Sequence, residues 1–316
     1  LKIKLGISTC LLGEKVRYDG GHKLDPFIRD TLGQWVEFVP VCPEVECGLP
    51  VPREAMRLVG EPGSPRLMTI KTGIDHTGRM LAWAEARLEG LAREDLCGFI
   101  FKSKSPSSGL ERIKVYPADG PGMPVKRGVG IFARLFMQSF PYLPVEDEGR
   151  LHDPVIRENF IERVFVMQRW RQLAAGNASA GDLVEFHTRH KLLLMAHSIE
   201  GYRSLGRLVA AAGQTPRVEL FQSYPEELMR ALRLAATPKK NVNVLTHILG
   251  YFKKVLAPDE KQEVLELIGA YGAGHVPLLV PLTLIKHYVR KYGQTYLEKQ
   301  YYLNPHPLEL KLRTHV

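Results

Sequence analysis

The chain has 316 residues, 45% hydrophobic and 24% charged. That balance excludes a disordered or fibrous protein and, at about 150 residues per domain, predicts two domains. No apolar run reaches the roughly 18 residues of a membrane span. The longest, HVPLLVPLTLIKHY, is broken by Pro277 and Pro281, and LKIKLGISTC is too short for a signal peptide. A cytoplasmic protein is expected, with its four cysteines serving as thiols or metal ligands rather than disulfides. The net charge of +9 is uneven: residues 151–316 hold 22 Lys+Arg against 15 Asp+Glu, and residues 1–150 hold 21 against 19. Such a bias suits an anionic partner such as nucleic acid, and equally a protein that merely stays soluble.

In chain order, the first half alternates short apolar runs with Gly/Pro loops and helical stretches. KIKLGIS, VEFVPV, RLMTI and CGFIFKS read as strands, Thr77 to Ala92 as a helix. This predicts an α/β domain over residues 1–150, Rossmann-like with a mainly parallel sheet. GVGIFARLFMQSF places Ile131, Phe132, Leu135, Phe136 and Phe140 on one helical face and closes the domain. The acidic, proline-bearing stretch from Tyr142 to Asp153 marks the boundary. Residues 151–316 read as an all-α domain, with Pro225 and Pro258 near helix starts and an irregular or loosely docked tail, YLNPHPLELKLRTHV.

In such a sheet, ligands bind beyond the carboxyl ends of the strands. Cys10 follows KIKLGIST, Cys42 follows VEFVPV, and the serine-rich loop Ser103 to Gly109 follows CGFIFK. In VCPEVECGLPVPRE, Cys42 and Cys47 lie five apart, and Pro43 and Gly48 favour a bent loop over a helix. Three thiolates from Cys10, Cys42 and Cys47 suit an iron–sulfur cluster, leaving one iron open as a Lewis acid. Zinc is the alternative, its tetrahedron completed by His22. Ordinary burial of free thiols is the competing structural reading, and it is the one applied to Cys97, which opens its strand.

Glu44, between the two nearby cysteines, is the candidate general base or proton donor. The loop KSKSPSSG offers Lys102 and Lys104, the hydroxyls of Ser105, Ser107 and Ser108, and backbone N–H groups to an oxygen or phosphate; an ordinary turn has the same composition. Arg17 and Asp19 stand in a glycine-hinged polar loop, through His22, that is placed to cover a pocket. His187, His190 and His197 read as helix-face histidines.

ISTCLLGEKVRYDGGH, PVCPEVECGLPVPRE and KSKSPSSG resemble, in order, the three signature segments of the thiouracil desulfidase (TudS-type) family, over about residues 3–140. The helical half resembles the domain fused behind it in tRNA 4-thiouridine desulfidases (RudS-type). The resemblance implies a 4Fe-4S cluster on three cysteines, whose free iron takes the thiocarbonyl sulfur while water replaces it with oxygen. It implies Cys10 and Cys42 as ligands and Glu44 and Ser105 as proton-handling residues. One position departs: the family's third ligand lies in a Ser-Pro-Ser-Cys-Gly loop, and here that position is Ser108, whereas Cys47 stands where glycine is usual. Relocation of the third thiolate to Cys47 is the economical reading; loss of the ligand is the other.

Three functions follow. The first is desulfidation of 4-thiouridine in tRNA, with Lys239, Lys240, Lys253, Lys254, Arg290 and Lys291 gripping phosphates. The second is desulfidation of free thiouracil. The third is a noncatalytic, metal-containing RNA-binding or sensing protein.

Overall fold

The computed structural model describes residues 2–118 and 122–315. The chain divides into two compact units, Leu1–His152 and Asp153–Val316.

The first unit runs β1 (Ile3–Ser8), β2 (Val36–Val41), α1 (Pro43–Glu46), β3 (Met56–Val59), β4 (Arg66–Thr69), α2 (Thr77–Ala92), β5 (Phe99–Phe101), β6 (Ile113–Tyr116), β7 (Val125–Gly128), α3 (Ile131–Ser139) and β8 (Val145–Asp147). Strands β2, β1, β5 and β8 form a parallel sheet in that order. Leu5, Ile7, Phe99, Ile100 and Phe101 are fully buried, as expected of parallel strands covered on both faces. The ring of Phe99 occupies the space a side chain at residue 6 would need: a Cβ on Gly6 would lie 2.2 Å from it. Helix α3 adds Phe132 and Phe136, and the Phe99–Phe136 ring centroids are 4.8 Å apart.

RLMTI does not join this sheet. It pairs antiparallel with β3, and the two belong to a second, mixed sheet ordered β4, β3, β6, β7. The connection between β3 and β4 is too short for a parallel crossover, and Gly60 turns it at φ 98°.

The second unit is helical: α4 (Pro154–Ala174), α5 (Ala180–His197), α6 (Ile199–Ala210), α7 (Arg217–Leu232), α8 (Pro238–Leu249), α9 (Pro258–Gly272), α10 (Leu279–Lys291) and α11 (Thr295–Glu298). Its helix starts are chemically marked. Asp153 accepts from the N–H groups of Val155 and Ile156, and Ser179 and Asp182 form a reciprocal capping box. Pro258 opens α9, but Pro225 lies inside α7, which starts eight residues earlier at Arg217. Tertiary burial of Leu220, Tyr224 and Leu228 holds the helix on both sides of the missing N–H.

The tail is irregular but firmly docked. Tyr302, Leu303, Leu310 and Leu312 are buried, and Arg313 donates to Glu162 Oε1 at 2.6 Å, Glu158 Oε1 at 3.0 Å and the Tyr302 carbonyl at 2.6 Å. His187, His190 and His197 are likewise buried, with His187 Nδ1 3.0 Å from the Tyr224 hydroxyl. Among the described residues no helix is long and apolar enough to cross a membrane.

Candidate active site

All four strands of the parallel sheet run the same way, so their carboxyl ends deliver side chains to one edge. Ser8 ends β1 and a short 3-10 turn, Thr9–Leu12, carries Cys10. Cys42 follows β2, the 102–109 loop follows β5, and Glu148 follows β8. Together they enclose a cavity of about 680 Å³, within the usual range for small-molecule sites. Cys10, Cys42, Glu44, Arg53, Ser105 and Ser108 line it.

The carboxylate of Glu44 is the hub of this cavity. Its Oε1 accepts from the Ser107 hydroxyl at 2.5 Å. Its Oε2 lies 3.7 Å from Cys42 Sγ and 3.8 Å from Arg53 Nη2. Ser107 in turn meets the Ser105 hydroxyl at 2.9 Å, and Ser105 Oγ also accepts the backbone N–H groups of Ser107 and Ser108, at 3.3 and 3.1 Å. The other acid on the cavity, Glu148, is committed: Lys102 Nζ, the Ser103 hydroxyl and the Ser103 N–H all donate to it. Glu44 is therefore the cavity carboxylate without a lysine partner.

Burial, with the nearby Glu44 carboxylate adding to it, pushes the Cys10 thiol up to about 11 and the Cys42 thiol up to about 12. Without a metal these thiols are protonated at neutral pH. A thiophilic ion binding there must displace their protons.

Cys47 does not reach the cavity. It packs in an apolar cluster with Leu49, Leu58, Leu67 and Ile131, and its thiol points to the Glu44 carbonyl at 3.3 Å. The expected bent loop is in fact the single helical turn α1, with Pro43 as its first residue, Cys42 as N-cap and Cys47 as C-cap. Glu46 Oε1 accepts from the Cys42 N–H at 2.8 Å and closes the turn. Cys42 precedes the turn in extended backbone, φ −120° and ψ 97°, and Cys47 ends it. Cys42 and Cys47 therefore face different surroundings, and the side chain standing on the cavity beside Cys10 and Cys42 is Ser108. The zinc arrangement is corrected too. A tetrahedral zinc set needs donor atoms about 3.8 Å apart, and among the described residues the three thiols and His22 do not gather within 4.8 Å. His22 is exposed, its Nδ1 accepting from the Leu24 N–H.

Arg17 and Lys104 line the cavity, Lys104 from a left-handed backbone at φ 60°. Ser107 is fully buried and acts on the cavity through Glu44. Asp19 stays outside the cavity lining. It accepts from the Gly21 N–H at 3.0 Å and from Arg17 Nη2 at 3.4 Å, shaping its own loop.

The family profile described as 2-thiouracil desulfurase matches residues 5–148, which contain every residue lining the cavity. YbgA of Escherichia coli K12 is 34% identical over 152 residues, covering 48% of this chain and 90% of that protein. YbbK of Bacillus subtilis 168 is 30% identical over 108 residues, covering 33% of this chain and 71% of its own length. Residues 5–148 belong to the 2-thiouracil desulfurase family. A second profile, DUF1722, described as a protein of unknown function, matches residues 191–307. A solved structure, the 4Fe-4S-dependent thiouracil desulfidase TudS, is 30% identical, covers 48% of this chain and 95% of its own, and superposes with a TM-score of 0.40.

In this desulfurase-family cavity the residue that sequence reasoning missed is Arg53. Its side chain is only 8% exposed, and Nη1 donates to the carbonyls of Val16 at 3.0 Å and Pro50 at 3.3 Å. It ties the 16–23 loop to the loop after α1 while facing Glu44. The only hint in the sequence was a cation within the apolar stretch LPVPRE. Tyr18, 44% exposed, also lines the desulfurase cavity.

Of the basic residues read as RNA contacts, two are engaged within the protein. Lys240 Nζ donates to the carbonyls of His197 at 2.7 Å and Ala235 at 2.9 Å, and Lys291 pairs with Glu260 at 2.7 Å. Lys239, Lys253, Lys254 and Arg290 are exposed.

Proposed function

We propose that this chain hydrolyses the carbon–sulfur double bond of a thiolated uracil, as free 4-thiouracil or as 4-thiouridine in tRNA. The observation that carries the reading is the convergence of Cys10, Cys42 and Glu44, a carboxylate without a lysine partner, on one cavity, within the segment that matches the desulfurase family. The reaction balances as thiocarbonyl plus water giving carbonyl plus hydrogen sulfide. Glu44 takes a proton from the attacking water and returns one to the departing sulfur. Ser107 and Arg53 hold its two oxygens in place for that exchange.

The donor set fits an iron–sulfur cluster at two thiol positions, Cys10 and Cys42, with the Ser108 hydroxyl in the third. A 4Fe-4S cluster there would supply an iron Lewis acid for the thiocarbonyl sulfur. The buried thiols must give up their protons to a soft metal, and the apolar packing of Cys47 speaks for Ser108 as the third donor.

For tRNA as substrate, the support is the basic excess of residues 151–316 and the four exposed cations named above. One observation favours the free base as a second reading: residues 8 to 148 alone line the cavity. Anaerobically reconstituted protein should be given free 4-thiouracil and thiolated tRNA side by side, followed by nucleoside analysis. Loss of 4-thiouridine from tRNA with a steep salt dependence supports the tRNA reading. Turnover of the free base alone supports the second. Full cluster loading with neither substrate consumed sinks both, leaving a noncatalytic role.

A further inference from the structure

We propose that the helical unit contains a phosphate-binding recess beside Arg189 and Lys299, separate from the desulfurase cavity and independent of the desulfidase reading. The recess holds about 180 Å³ and is lined by Glu185, Thr188 and Arg189 of α5 and by Thr295, Tyr296 and Lys299 at and just beyond α11. A water takes about 30 Å³ of liquid, so a phosphate fits with part of its hydration.

The charge around the recess is unbalanced. The Arg189 guanidinium lies over the Tyr301 ring at 4.6 Å from its centroid, and that of Arg169 lies over the same ring at 3.9 Å. Two guanidiniums thus share one aromatic ring, and neither forms an ion pair with a carboxylate among the described residues. Arg189 Nε and Arg169 Nη1 are buried donors without a partner. Arg169 Nη2 is spent on the Pro305 carbonyl. Burial holds the Arg169 guanidinium down to about 10, with Glu162 opposing that shift and the Arg189 charge adding to it.

Glu185 stands one helical turn before Arg189, the ordinary spacing for a pair. It is exposed and makes no salt bridge to Arg189. Lys299, also exposed, adds a second cation to the recess, and the Thr188 and Thr295 hydroxyls add neutral donors. Cation–π contact with Tyr301 offsets part of the cost of burying guanidinium, but it does not satisfy the free N–H groups. A tetrahedral oxyanion between the Arg189 guanidinium and the Lys299 ammonium would balance the charge of the recess. The phosphate is either free in solution or a phosphodiester of a polynucleotide.

The test uses the full chain, its Arg189→Gln and Lys299→Gln variants, and two probes measured by calorimetry in phosphate-free buffer: inorganic phosphate and a single-stranded oligoribonucleotide. Wild type should bind phosphate saturably, and Arg189→Gln should weaken it by about tenfold or more. Lys299→Gln, a surface change that cannot unfold the unit, should weaken it by about threefold. If oligoribonucleotide affinity falls in step and the oligomer competes with phosphate, the source is a polynucleotide. If phosphate binding falls and oligomer binding does not, the source is free phosphate. Absence of saturable phosphate binding by wild type up to about 10 mM, or wild-type affinity in both variants, overturns the proposal.

Discussion

Ser107 donates its hydroxyl proton to Glu44 Oε1 at 2.5 Å, joining the loop after β5 to the helical turn after β2. The bond orients the one cavity carboxylate not consumed by a lysine, and it makes Ser107, rather than Ser105, the serine in direct contact with that acid.

Glu44→Gln keeps the shape of this contact and removes the base. Turnover should fall by about 10²-fold or more, while iron and sulfide content stay at the wild-type level. Ser107→Ala should cost less, about tenfold, because Arg53 still faces the carboxylate. A Glu44→Gln enzyme retaining full activity would remove Glu44 from the chemistry.

The third ligand is decided by iron content. Cys47→Ala should leave iron and sulfide per chain unchanged and cost about 1 kcal/mol of stability through lost apolar packing. Cys10→Ala and Cys42→Ala should lose the cluster. Ser108→Ala should weaken it, and Ser108→Cys should bind it more tightly than wild type, read as slower iron loss to a chelator. Cluster loss in Cys47→Ala with none in Ser108→Ala would return the third ligand to Cys47.

Arg53→Ala removes two hydrogen bonds to backbone carbonyls and a cation opposite Glu44. The expected loss is about 2 to 3 kcal/mol in denaturant unfolding. Arg53→Lys should recover part of the stability but not the forked contact, leaving turnover low. Equal activity in wild type and Arg53→Lys would show that only the charge matters.

The helical unit should lose stability in acid. Burial holds His187 and His306 down to about 4, and His190 well below its ordinary value. These groups are neutral when folded and take up protons when unfolded. Their contribution is therefore complete above about pH 6.5 and lost as the pH falls toward about 4. Glu158, raised to about 7 by burial and by Glu162, works the other way as the pH rises through that range. Three histidines against one carboxylate set the net sign. Urea midpoints of the helical unit should drop from pH 7 to pH 5; a flat profile would contradict the histidine assignment.

Arg313 is 5% exposed and contacts both Glu158 and Glu162. These two acids and His306 offer donor atoms within 4.8 Å of one another, and Arg313 already supplies the cation there. Arg313→Met strands the carboxylates and should cost about 3 to 5 kcal/mol, with the tail becoming sensitive to protease. Undiminished stability would mean that the apolar contacts of Tyr302 and Leu312 suffice to dock it.

Much of the scaffold was legible because it is written locally. The helix over Thr77–Ala92 and the fully apolar core strands follow from spacing and burial on both sheet faces. The second sheet was not, because RLMTI has the same apolar text whether its neighbour is parallel or antiparallel; the short turn at Gly60 decides. Pro225 pointed to a helix start, and only the packing of Tyr224 and Leu228 carries α7 through it.

For the cavity, the sequence by itself determined that Cys10, Cys42 and the serine loop follow parallel strands, since strand ends and Gly/Pro loops are properties of contiguous residues. Tertiary structure decided where each side chain points. One helical turn after Cys42 rotates Cys47 into apolar packing, and the fold brings Ser107 and Arg53 to Glu44 from segments far apart in the chain. Side-chain direction depends on backbone rotation and on neighbours distant in sequence, so the thiols at strand ends could be read from the text, while the third donor and the partners of Glu44 could not.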